Sequence, residues 1–86
     1  MTSNQIIKIS KALADKNRYE IFKTIADSGE IVCKEITNLF SLSQPTISHH
    51  LKVLMESGLI DVRKNGQWSY FSVNKETLKA YKSALI

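Results

Sequence analysis

The hydrophobic period of this chain changes at Gly58. Ahead of it, in "SLSQPTISHHLKVLMESG", Ile47, Leu51 and Leu54 recur at helical spacing. Behind it, "LIDVRKNGQWSYFSV" alternates in strand fashion around Asn65-Gly66, a strong short-range hairpin signal because both residues tolerate positive φ. If Asn65-Gly66 forms a two-residue turn, Ile60, Val62, Phe71 and Val73 share the buried face. Arg63 then faces Trp68 in a cation–π pair, and Asp61 faces Tyr70 in a hydrogen bond. A helix that stops at glycine and feeds directly into a tight hairpin leaves few folds open to 86 residues.

The rest of the chain is helical in pattern. "SNQIIKISKALAD" sets Ile6, Ile9 and Leu13 on one face, with Ser3 or Asn4 as N-cap and an end near Ala14. Asp15 caps a second helix, in which Tyr19, Phe22, Ile25 and Ala26 share a face and Ser28-Gly29 supplies the stop. In "VCKEITNLF", Val32, Ile36, Leu39 and Phe40 have the spacing of a short amphipathic helix, with Lys34, Thr37 and Asn38 facing outward. After the break "SLS", with Leu42 turned inward, Ser43 caps a fourth helix that carries Pro45 in its first turn, where the missing N–H does no harm. Asn74 caps a last helix with an apolar stripe of Leu78, Tyr81 and Leu85. The fold class is therefore mainly α with a small β-hairpin. In order, it is a winged helix-turn-helix of about five helices and a two-stranded wing, in one domain over residues 1–86 (helix-turn-helix 32–57, wing 59–73).

Helical geometry sorts the fourth helix into two faces. With Ile47 at zero, Leu51 and Leu54 fall at about 40° and −20°, while His49 falls at about 200°, Pro45 at about 160° and Lys52 at about 140°. Thr46 and Ser48 flank that outward face, and His50, near 300°, lies at the edge of the buried arc. Hydroxyls, an imidazole and a lysine on an exposed helix suit base edges and phosphates in a major groove. Gln44 can reach a base bidentately, and Ser43 with the first-turn N–H groups offers a phosphate site. The hairpin tip gathers Arg63, Lys64, Asn65, Gly66 and Gln67, with little bulk to keep it from the backbone or the minor groove. Lys34 and Thr37 are further candidates for phosphate contact. Arg18, in the apolar arc of the second helix, either reaches a phosphate or pairs with an acid to hold the helix. Adjacent histidines diverge by about 100° and have no third ligand at i+3 or i+4, so His49 and His50 make no metal site. Twelve Lys and Arg against eight Asp and Glu give a net charge of +4, which suits a polyanionic partner such as double-stranded DNA.

Three segments, "ALADKNRYEIFKTI", "SLSQPTISHHLKVLMESGLI" and "VRKNGQWSYFSV", resemble the ArsR family of dimeric bacterial transcriptional repressors. The resemblance runs from about Leu13 to Val73. It implies operator binding as a homodimer whose first and last helices (1–14 and 75–86) form the interface, and repression relieved by an inducer. Ile6, Ile9, Leu13, Leu78, Tyr81 and Leu85 are the interface candidates, apolar stripes that a chain this small would struggle to bury alone. Many family members sense soft metals through a Cys-Val-Cys triplet. Here Val32 and Lys34 stand at the two ligand positions, and Cys33 lies between them. The last helix holds no histidine, cysteine or aspartate for the family's other metal site. No metal and no cofactor are expected, and the inducer is not readable. Cys33 is either a small core residue or a single-thiol redox switch.

Other function classes fit less well. A protein–protein module on the same fold would show large apolar residues on the outer face of the fourth helix, where only Val53 comes near. An enzyme lacks support, since no glycine-rich phosphate loop or nucleophile–base–acid set appears. The N-terminus has no signal-peptide stretch, and no segment approaches the ~20 apolar residues of a membrane span. A cytoplasmic protein without membrane attachment is the expectation.

Overall fold

The computed structural model describes residues 1–85. Ile86, counted above in the last helix, lies outside the described residues. Helix α1 (Ser3–Leu13) is capped one residue earlier than the sequence indicates. Thr2 Oγ1 accepts from the Gln5 N–H at 3.2 Å, and Gln5 Oε1 accepts from the Thr2 N–H at 2.8 Å, a capping box that neither Ser3 nor Asn4 can form with this partner. Helix α2 (Lys16–Ser28) starts at the Asp15 cap, whose Oδ1 accepts from the Arg18 N–H at 2.9 Å. Its buried face is Ile21, Phe22 and Ile25, while Tyr19 and Ala26 are exposed. The face is rotated from the expected one because α2 is packed from several sides, by α1 and by the elements that follow it.

Strand β1 (Glu30–Val32) leads into α3 (Cys33–Leu39), then α4 (Gln44–Glu56), strands β2 (Ile60–Asn65) and β3 (Trp68–Val73), and α5 (Lys75–Ala84). The three strands form one antiparallel sheet in the order β1-β3-β2, so the wing has a third strand beyond the expected hairpin. Three residues are too few for strand periodicity to show. Glu30, Ile31 and Val32 are a strand because Ser72, Phe71 and Tyr70 of β3 lie beside them. Helix α3 is equally short: it buries Ile36 but leaves Leu39 65% exposed, against expectation, because the helix ends there.

The hairpin turn sits one residue later than expected. Asn65 pairs with Trp68, leaving Gly66 and Gln67 as the loop. A loop centred on Asn65-Gly66 requires positive φ at Asn65, and among the described residues only glycines have it. Gly66, at φ 61°, opens the loop in the manner of a II′ turn. Moving the turn by one residue shifts each cross-strand partner by two, which preserves the faces. Phe71 and Ile60 are still inward and buried, and Val62 is on their face but 38% exposed near the tip. The partners do change. Arg63 faces Tyr70 rather than Trp68, and its guanidinium carbon lies 4.4 Å from the Tyr70 ring centroid. Asp61 accepts from Asn74 Nδ2 at 3.4 Å rather than from Tyr70.

Helix α4 carries Ile47, Leu51 and Leu54 into the core, each 2% exposed or less, against Ile21 and Ile25 of α2 and Ile36 of α3. Gly58 ends it at φ 87°, where a side chain would be strained, and Leu59 follows fully buried. Asn74 caps α5 by accepting from the Thr77 N–H at 2.9 Å and donates its own N–H to Leu59 O at 2.8 Å. The last helix is thereby tied to the start of β2. No residue of α5 is fully buried, and Leu85 is 55% exposed. At the other end, Ile9 is 1% exposed and so belongs to this chain's own core, not to an interface. Its neighbour Ile7, on the outer side, is 52% exposed.

Candidate nucleic-acid interface

The fourth helix separates its residues as the helical angles indicate. Ser43, Gln44, Pro45, Thr46, Ser48, His49 and Lys52 are all exposed, on the side opposite Ile47, Leu51 and Leu54. Ser43 Oγ accepts from the Thr46 N–H at 3.3 Å and lies 2.8 Å from Thr46 Oγ1, so the cap is internally made and holds the first turn in shape. The two histidines diverge. His49 is exposed, while His50 is 7% exposed with its ring tilted 51° to that of His49.

Beside this helix the wing encloses two clefts. One, about 500 Å³, runs between α3, the start of α4 and the base of the hairpin loop, and is lined by Cys33, Lys34, Thr37, Asn38, Gln44, Gln67, Trp68 and Ser69. The other, about 320 Å³, lies between α4 and the sheet and brings Ser48, Met55, Val62 and Lys64 together with Cys33 and Ser69. Cys33 opens α3 at the meeting of the two, half-buried against the core. The walls of the larger cleft combine residues expected from sequence (Lys34, Thr37, Gln44, Gln67) with three that sequence reasoning missed as site residues, Asn38, Trp68 and Ser69. Trp68 is 43% exposed. The signal for it was present in the strand alternation, but the misplaced turn paired it with Arg63.

Three side chains are committed elsewhere. Arg63, expected at the free tip, forks onto Glu30 through Nε at 3.3 Å and Nη2 at 3.0 Å, joining β2 to β1 across β3. The Arg63 guanidinium holds the Glu30 carboxyl below its usual range. Both groups are solvent-exposed, so the pair contributes little to stability. Thr37 Oγ1 donates to Cys33 O at 3.0 Å, so its proton is already used within α3 and is not presented to a phosphate. Arg18 is the clearest correction. Its Nε donates to Ala12 O at 2.6 Å and its Nη2 to Lys11 O at 3.2 Å, so the guanidinium satisfies the carbonyl end of α1. It is neither presented to a phosphate nor paired to an acid through its guanidinium. Lys34, Lys64, Asn65, Gly66 and Gln67 remain exposed. Among the described residues no three His, Cys, Asp or Glu side chains cluster closely enough to hold a metal ion, and no helix is long and apolar enough to cross a membrane.

A helix-turn-helix domain family matches residues 13–63. The arsenical resistance operon repressor of Staphylococcus xylosus is 36% identical over 78 residues, which are 91% of this chain and 74% of that protein. The chain belongs to the ArsR family. A second ArsR-type relative, the arsenical resistance operon repressor of Bacillus subtilis, is 38% identical over 66 residues; the match covers 77% of this chain and 63% of the relative's length. The crystal structure of an ArsR family transcriptional regulator, RHA00566, superposes with a TM-score of 0.86 at 26% identity, covering 99% of this chain and 87% of that one. The fold is thus a winged helix-turn-helix, and these ArsR-family relatives are transcriptional regulators rather than enzymes.

Proposed function

We propose that this chain is a sequence-specific transcriptional repressor that binds an imperfect palindromic DNA operator as a homodimer in the cytoplasm, and does not sense metals through the known family positions. The observation that carries this reading is the exposed polar face of α4 set beside the polar cleft and the basic wing tip. A helix fits the major groove, and a low-bulk hairpin reaches the neighbouring backbone or minor groove. The outer sides of α1 and α5, with Ile7 and Leu85 exposed and Ile6, Leu13, Leu78 and Tyr81 half-buried, are the dimerisation surface. Two α4 helices then enter grooves about 34–36 Å apart. Val32 and Lys34 at the thiolate positions leave Cys33 without a second sulfur. One domain spans residues 1–86 in this reading, and the binding residues are Gln44, Thr46, Ser48, His49, Lys52, Lys64 and the 65–67 tip, with Lys34 and Trp68 along the backbone.

Mobility shifts on operator and random DNA at two salt concentrations test it. Gln44→Ala and His49→Ala are each expected to lower operator affinity by about 1–3 kcal/mol while leaving random-sequence binding nearly unchanged. Lys64→Ala is expected to weaken both alike and reduce the salt slope by about one. Equal losses on both DNAs for Gln44→Ala and His49→Ala would remove those residues from base reading. Retention of affinity at high salt would argue against phosphate-dominated binding altogether.

A further inference from the structure

His50 is the one buried polar side chain among the described residues, and the DNA-facing surface does not use it. Its Nδ1 lies 3.3 Å from Arg18 Nη1. A guanidinium only donates, so Nδ1 must be the acceptor, and the ring is neutral with its proton on Nε2. The same guanidinium donates to Ala12 O and Lys11 O. One side chain of α2 thus clasps the C-terminal end of α1 with one edge and the middle of α4 with the other.

We propose that Arg18 and His50 form a proton-released joint between α1 and α4, in which the neutral imidazole holds the DNA-reading helix to the helix that carries Ile6 and Ile7. A proton on Nδ1 removes the only acceptor that α4 offers to Arg18 and places two cations 3.3 Å apart. The charged and titratable groups that bear on the ring are Arg18 and Asp15 of the α2 start and His49 of α4; α1 contributes the two carbonyls. Burial, Arg18 and His49 all disfavour the cation, and Asp15 alone favours it. Burial is the largest of these, and the balance lies below the ordinary imidazole value. A group with a lowered folded-state value leaves the folded chain binding fewer protons than the unfolded one. The stability it contributes is therefore complete above about pH 6.5 and is lost as pH falls below that toward the folded value. Asp15 and Glu30 are both held below their ordinary carboxylate values and so leave this window clear. The coupling to DNA rests on the function proposed above, whereas the joint itself is read without DNA.

The experiment uses thermal unfolding at pH 7.5 and 5.5 in a His49→Asn background, so that His50 is the chain's remaining imidazole. The midpoint is expected to be lower at pH 5.5 than at pH 7.5. Adding His50→Asn, whose Oδ1 can stand where Nδ1 accepts, is expected to make the midpoint insensitive to pH over this range, while His50→Ala lowers it at both values. A parallel fall with and without His50→Asn overturns the joint. Should His50→Asn fail to fold, the ring nitrogens of the unsubstituted protein decide: long-range ¹⁵N correlation at pH 7.5 is expected to show a proton on Nε2 alone. A proton on Nδ1 at that pH overturns the proposal. Failure of the unsubstituted protein to bind operator DNA at either pH, with the thermal pattern of the variants intact, would count against the operator function and not against the joint.

Discussion

A double substitution, Ile7→Glu with Leu85→Glu, is expected to yield a folded monomer whose affinity for a two-site operator is lower by about 10²–10⁴-fold. Both side chains are more than half exposed, at 52% and 55%, so neither charge enters the core of the chain that carries it. In a dimer formed through α1 and α5 the same charges are driven into an apolar contact between two copies, without partners, and that cost opposes association. The monomer retains one reading helix and loses the second binding event, which in the dimer is intramolecular. Sedimentation equilibrium reads the mass and a mobility shift reads the affinity. A dimer that survives would place the interface elsewhere, and a monomer with undiminished operator affinity would show that binding does not need two copies.

The second large effect is on stability. Leu54→Ala is expected to cost about 2–5 kcal/mol, since Leu54 is 0% exposed on the inward face of α4 and its removal leaves a cavity among packed side chains. Domains of this size sit near the lower end of a total of about 5–15 kcal/mol, so the substitution takes a large share of the fold's stability. Urea unfolding should show the midpoint falling with the slope unchanged. Leu39→Ala is the contrasting case. Leu39 belongs to an equally regular apolar stripe in the sequence, yet it is 65% exposed, and its removal is expected to stay within about 0.5 kcal/mol. A comparable cost for the two would contradict the burial that separates them.

Leu54 and Leu39 also show how far the site was legible from sequence. Helix α4 was read correctly, with His49 and His50 on different sides, because thirteen residues at 3.6 per turn define a face by local geometry alone. The seven-residue α3 turns through too few residues to impose its face, and where it ends is decided by the turn after it. The hairpin had an intermediate outcome. Its inward residues followed from alternation and survived a misplaced turn, because moving the loop by one residue keeps the parity. Its partners did not survive, and with them went the expected Arg63–Trp68 stack and the recognition of Trp68 as a lining residue of the cleft.

Periods, caps and stops act over a few residues, and these the sequence determined: a winged helix-turn-helix order, an α4 with one apolar and one polar face, the Asp15, Ser43 and Asn74 caps, and a basic hairpin. Tertiary structure decided which long side chains are free to meet DNA. In the sequence both Arg18, in the apolar arc of the second helix, and Arg63, at the hairpin tip, are candidates for DNA contact. One is spent on the carbonyls of α1 and the ring of His50, the other on Glu30 of a strand that the sequence did not reveal. The reason is physical. A guanidinium reaches far beyond its own backbone, and its hydrogen bonds are set by which helix ends and sheet edges pack within that reach.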